Sequence, residues 1–179
     1  MKLSLTFLPL LSIAAAAAVL VKRDRLPSKF TLEASTQGLE GILWPELHWL
    51  DGECWIGNSK YNSGSQKLQF SSGGDGDGLS FTSFHSTPTG WTDFWIFPDE
   101  SRAAGFTTPH SAFVPEGAST KGFEKMGDQL AYKGRMEWQA CDQGDGSWKI
   151  FWDGAHDAGC VPVGLYITEI VCTSTRMRD

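Results

Sequence analysis

Two glutamates inside apolar, strand-like runs are the residues best suited to acid–base chemistry: Glu137 in MEWQAC (Met136–Cys141) and Glu169 in GLYITEIV (Gly164–Val171). A carboxyl among apolar neighbours holds its proton more tightly, because burial penalises the charged form. Two such groups facing one another about 5.5 Å or about 6.5–9.5 Å apart would cleave a glycosidic bond with retention or inversion. The residues flanking both glutamates match no xylanase or endoglucanase motif, so a jelly-roll glycoside hydrolase stands as an alternative reading.

Other reactive patterns are missing. There is no GxSxG elbow, no HExxH helix and no GxxxxGK[ST] phosphate loop. His48, His85, His110 and His156 are far apart, each beside a turn, a proline or an aromatic residue. The runs SSGGDGDG (Ser71–Gly78) and DQGDGS (Asp142–Ser147) invite a calcium reading. Counted from Asp75, however, the fifth loop position is Leu79, which cannot ligate. Both runs are expected to be plain turns, and no catalytic residue, metal site or cofactor is assigned.

The eight tryptophans offer a different chemistry, since indole rings stack on sugar rings. Trp44 and Trp49 in ILWPELHWL, and Trp91 and Trp95 in TGWTDFWIF, lie in loops or at strand ends and are the candidate polysaccharide-binding residues. Later in the chain the pattern changes. Met136, Trp138 and Ala140 alternate with polar residues, as do Trp148, Ile150 and Trp152. A period of two with the large apolar residues aligned predicts two paired strands over one core, so these rings are expected inside.

The elements that must position these residues read as strands throughout. Alternating or aromatic-rich runs occur at Phe30–Ala34, Cys54–Ile56, Lys67–Phe70, Leu79–Phe84, Asp93–Phe97, Gln129–Tyr132, Met136–Cys141, Trp148–Trp152 and Gly164–Val171. Glycine-rich turns separate them, and after residue 23 no amphipathic helical window is found. The expected fold class is all-β: a single-domain β-sandwich or barrel.

Residues 1–23 resemble a secretory signal peptide, with Lys2, an apolar Leu3–Ile13 stretch, the alanines to Ala18 and a possible dibasic processing site at Lys22-Arg23. The secreted domain is expected to span 24–179. It would carry twelve basic and twenty-one acidic residues, a net charge of −9. Such a chain is a poor partner for nucleic acid or anionic membranes. Four cysteines in a secreted chain argue for two disulfides and allow three pairings; Cys141 and Cys160, with a turn, strand and loop between them, are closest to a natural staple, and Cys54–Cys172 then follows by exclusion. The polar tail Thr173–Asp179 lacks the hydrophobic end of a GPI signal, so any wall association is expected to be non-covalent or to use other chemistry.

Across residues 99–166 the order of motifs resembles the fungal secreted cell-wall proteins of the PhiA family and their IgE-binding relatives. The resemblance rests on Gly105-Phe106-Thr107, His110-Ser111-Ala112, Pro115–Ala118, Ala140-Cys141, Gly146–Phe151 and Gly159-Cys160. It implies a small extracellular wall protein linked to wall integrity and to the development of spore-bearing cells, with no established catalytic residues. His110-Ser111 is then a tight turn after Thr-Thr-Pro. Two features depart from the family. Neither Asn58-Ser59-Lys60 nor Asn62-Ser63-Gly64 forms a glycosylation sequon, and Leu39–Trp55 is unusually rich in tryptophan. A host-directed secreted effector is therefore a further alternative.

Overall fold

The structure is a computed structural model in which residues 23–35, 45–57, 66–72, 81–84, 92–109, 111–153 and 159–171 are described. They form fourteen strands, every pairing between them is antiparallel, and no helix occurs among the described residues. The expected signal peptide lies outside the described residues except for its last residue. Arg23 and Asp24, on either side of the possible dibasic cut, form β1 and pair with Met126 and Lys125.

Alternation in the sequence becomes two-sidedness in the sheet. In β2 (Lys29–Ser35) Phe30, Leu32 and Ala34 are buried, while Thr31, Glu33 and Ser35 face outward. In β12 (Trp138–Asp142) and β13 (Ser147–Trp152) the register sets Trp138 opposite Trp152 and Ala140 opposite Ile150, all four buried. Met136, expected on the same inner face, is exposed instead: β12 begins only at Trp138, so Met136 lies beyond its end.

The longest strand closes the fold. β14 (Cys160–Glu169) pairs through Cys160–Val163 with β12 and through Gly164–Glu169 with β2. From β12 the pairings run through β13, β4 (Glu53–Gly57), β9 (Gly105–Phe106), β8 (Thr92–Trp95), β7 (Phe81–Phe84) and β6 (Gln69–Ser72) to β2, and so back to β14. This closed circuit is a sandwich joined into a barrel, which leaves those strands no free edge. β10 (Phe123–Met126) and β11 (Gln129–Tyr132) extend the sheet beyond β14, with β1 outermost. β3 (His48–Leu50) and β5 (Gln66–Lys67) pair beside β4.

Pro162 sits inside β14 without breaking it. It stands opposite Gln139, and two residues away Cys141 faces Cys160 with Cα atoms 3.9 Å apart. The Asp142 N–H donates to the Gly159 carbonyl at 3.1 Å, so the hydrogen-bonded pairs are the intervening ones. In that register the missing N–H of Pro162 points away from β12, where no ladder bond is lost.

Two hairpins turn on paired left-handed residues. Asp51 and Gly52 (φ 52° and 84°) join β3 to β4, and Lys133 and Gly134 (φ 47° and 79°) follow β11. Both central residues at positive φ define a type I′ turn, whose twist matches the flanking strands.

Inside, the aromatic rings form one connected series. Phe30 meets Phe70 at 5.4 Å, Phe70 meets Phe106 at 6.3 Å, and Phe94 touches Phe106, Phe123 and Trp138. The series ends where Trp138 and Tyr132 both contact Trp152, at 4.9 and 5.3 Å. Each buried side chain of this size contributes roughly 1.5–3 kcal/mol through lost water contact, and favourable ring pairs add about 0.5–1.5 kcal/mol. The Trp138 indole N–H donates to the Leu130 carbonyl at 2.8 Å, so its polar atom is satisfied too.

The Cys141–Cys160 disulfide is present and joins β12 to β14 on the outer face of the sheet. The second expected bridge, Cys54–Cys172, is not formed. Cys54 is a free thiol within β4, sealed in the core and directly opposite Trp49. After β14, Val171 is already 75% exposed. An even cysteine count could not reveal that one thiol serves as an apolar core residue, a common fate for free cysteine. Cys172 lies outside the described residues.

Candidate functional site

A groove on the described surface is built around an exposed ring. Its lining is Glu33, Ala34 and Ser35 of β2, Pro45, and Tyr166 of β14, and it is shallow, with a volume of about 340 Å³. Register explains the assembly: Tyr166 stands directly opposite Glu33, and Gly164 opposite Ser35, all on the outward parity of their strands. Pro45 is drawn in because its carbonyl accepts the Ala34 N–H at 2.7 Å.

Tyr166 is held in place although it is 41% exposed. The Gln129 amide of β11 donates to the phenolic oxygen at 3.2 Å. Gly164 supplies the space beneath the ring: a Cβ there would lie 2.8 Å from Tyr166 Cε2 and 2.8 Å from Gln129 Oε1. Since the tyrosine oxygen accepts from Gln129, its own proton is left to donate outward. The groove thus combines an oriented aromatic ring, a proline, a carboxylate and two hydroxyls.

Of the four candidate tryptophans, Trp49 and Trp95 fall among the described residues. Trp49 is half-buried in β3 and packs against the core from within. Trp95 is half-buried in β8 on the outer side, over Gly105 and edge-on to Phe97 at 5.1 Å. The two therefore serve opposite faces of the sheet. Trp44 and Trp91 lie outside the described residues. Trp55 faces outward yet is buried, with the Lys149 ammonium 4.7 Å from its ring centre and bonded to Glu53 at 2.9 Å.

Glu137 and Glu169 are not brought together. Trp138 pairs with Val163, which sets Glu137 level with Gly164; Glu169 is five residues further along β14, roughly 17 Å at about 3.3 Å per residue. Glu137 instead pairs with Arg135, whose Nη2 also lies 2.6 Å from Asp153 Oδ2. Bonds first to Glu137 and then to Asp153 push the exposed Arg135 guanidinium above its ordinary pKa. Glu169 is exposed at the end of its strand.

In the glycine-aspartate turn after β12, the aspartates serve the backbone. Asp142 Oδ1 accepts the Gly144 N–H at 2.8 Å, and Asp145 Oδ1 accepts both the N–H and the hydroxyl of Ser147. Ser71–Gly78 is described only at its first two residues. Ser111 closes a turn by donating its N–H to the Thr108 carbonyl at 2.9 Å, and its Oγ accepts the Phe113 N–H at 3.1 Å. His85, His110 and His156 lie outside the described residues, and His48 is buried in β3. Near this loop, burial pushes the Asp93 carboxyl up, and its backbone exchanges bonds with Thr107 at 2.9 Å in both directions.

Sequence reasoning passed over Tyr166 and Glu33. The signal was present: in GLYITEIV the tyrosine occupies the polar parity of a strand whose inward residues are Leu165 and Ile167. No family model, curated protein or solved structure matches this chain.

Proposed function

We propose that this is a secreted, non-catalytic structural protein associated with a fungal cell wall. The observation that supports it best is the use of the late-chain aromatic residues: Trp138 and Trp152 are each 1% exposed, at the end of a continuous series of core rings. Rings spent in this way make a rigid scaffold. The Cys141–Cys160 staple is compatible with an oxidising compartment. The motif order over residues 99–166 adds the wall association, through its resemblance to the PhiA proteins.

The test is retention of the purified protein on insoluble glucan and chitin, combined with an assay for reducing-sugar release. The expected result is retention without release of sugar. Release that disappears in Glu137→Gln or Glu169→Gln would make the protein a glycoside hydrolase and overturn this reading.

A further inference from the structure

We propose that the groove between Tyr166 and Pro45 binds a neutral β-linked pyranose chain; this deepens the wall-association reading and rests on it. A pyranose presents apolar C–H faces and a rim of hydroxyls. It is recognised by an oriented ring flanked by a few hydrogen-bonding groups. The Tyr166 ring is such a surface, fixed by Gln129 at 3.2 Å and laid over Gly164. Its phenol has a proton to donate, Glu33 directly opposite is an acceptor, and Ser35 is both. Thr31 and Thr168, directly opposite each other, continue the outward row with two more hydroxyls.

The geometry favours a chain over a small solute. The groove is open and shallow, lined by only five residues, and so grips one sugar unit while adjoining units pass along the β2–β14 surface. Glu33 is the acidic residue of its lining, which disfavours an anionic polysaccharide. Pro45 forms a second apolar wall without an N–H of its own to satisfy.

The test is a titration of the ¹⁵N-labelled protein with a β-1,3-glucan hexasaccharide and, separately, with a chitin hexasaccharide, followed by amide shifts. The expected result is saturable shifts at Glu33–Ser35, Glu46 and Tyr166 with one of the two, which identifies the sugar. Tyr166→Ala should weaken binding at least about tenfold, as loss of a central aromatic contact does, whereas Tyr166→Phe, which keeps the ring but loses the phenol's donor and its anchor on Gln129, should weaken it by a smaller factor. Ser35→Arg blocks the groove from an exposed position and should abolish binding with the melting temperature unchanged, so the outcome does not depend on Tyr166→Ala remaining folded. If the wild type is retained on wall polysaccharide but the shifts lie elsewhere, or if Ser35→Arg and Tyr166→Ala bind like the wild type, the groove is not the site and the wall reading stands. If the wild type binds neither hexasaccharide nor insoluble glucan or chitin, both proposals fall.

Discussion

Trp138 and Trp152 stand directly opposite one another on β12 and β13, with ring centres 4.9 Å apart and planes at 79°. Edge-to-face contact of this kind sets the positive edge of one indole against the negative face of the other. The same pair is bounded by Phe123 of β10 and Tyr132 of β11. Tryptophans that as a list of residues would suit a sugar platform are thus joined into the interior by strand register.

Truncating either ring should be costly. Trp152→Ala is expected to lose about 3–5 kcal/mol of unfolding free energy, the usual cost of deleting a large buried aromatic side chain. Trp138→Phe should lose less, about 1–3 kcal/mol, because it shrinks the ring and leaves the Leu130 carbonyl without its donor. Urea unfolding followed by circular dichroism measures both.

Reducing the disulfide should destabilise the fold without dissolving it. Cys141 and Cys160 are 19 residues apart in sequence, and a loop of that size is worth about 3 kcal/mol in the chain-entropy model. The register of β12 and β14 is also specified by Trp138 opposite Val163 and Ala140 opposite Val161. Cys141→Ser with Cys160→Ser should therefore fold with the same far-ultraviolet spectrum and a lower urea midpoint.

Cys54 gives the protein an alkaline sensitivity. Its thiol is fully buried, and desolvation pushes its pKa far above the ordinary value of 9.0. The unfolded thiol ionises above pH 9 while the folded one keeps its proton. Stability from this group is therefore complete below pH 9 and falls as pH rises further, by about 1.4 kcal/mol per pH unit. Cys54→Ala should remove that slope in denaturation curves taken between pH 8.5 and 10.5. In native protein, Cys54 should resist alkylation that proceeds readily in denaturant.

Gly105 should tolerate no side chain. A Cβ there would lie 2.6 Å from the Trp95 ring and 2.7 Å from the Gly52 carbonyl oxygen. The ring could swing aside, but the backbone oxygen could not. Gly105→Ala is expected to cost about 1–3 kcal/mol by overpacking, seen as a lowered melting temperature.

Much of this architecture was legible because period-two alternation directly encodes burial. All nine strand-like runs overlap a strand, and the Cys141–Cys160 staple followed from the turn, strand and loop that lie between the two cysteines. Four strands lie wholly outside those runs, and β5 shares only Lys67 with one; all are short or carry little alternation. β1 and β9 have two residues each, and β10 reads FEKM, which has no strand pattern. β3 was betrayed only by Asp51-Gly52, a type I′ signal between His-Trp-Leu and Glu-Cys-Trp. The start of β14 was hidden by Pro162, whose harmlessness depends on a register that only pairing reveals. The groove was less accessible still. It joins residues more than a hundred positions apart, Glu33 and Tyr166, through a strand pairing that no local pattern encodes.

The central claim is that the late-chain indoles fill an interior. It is tested most directly with 5-fluorotryptophan-labelled protein, by measuring the fluorine shift of each indole on transfer from H₂O to D₂O. The resonances of Trp138 and Trp152 are assigned by their loss in Trp138→Phe and Trp152→Phe. Both should show no solvent isotope shift in the native state and the full shift in urea. A full native shift for either would place that ring at the water-exposed surface and contradict the account.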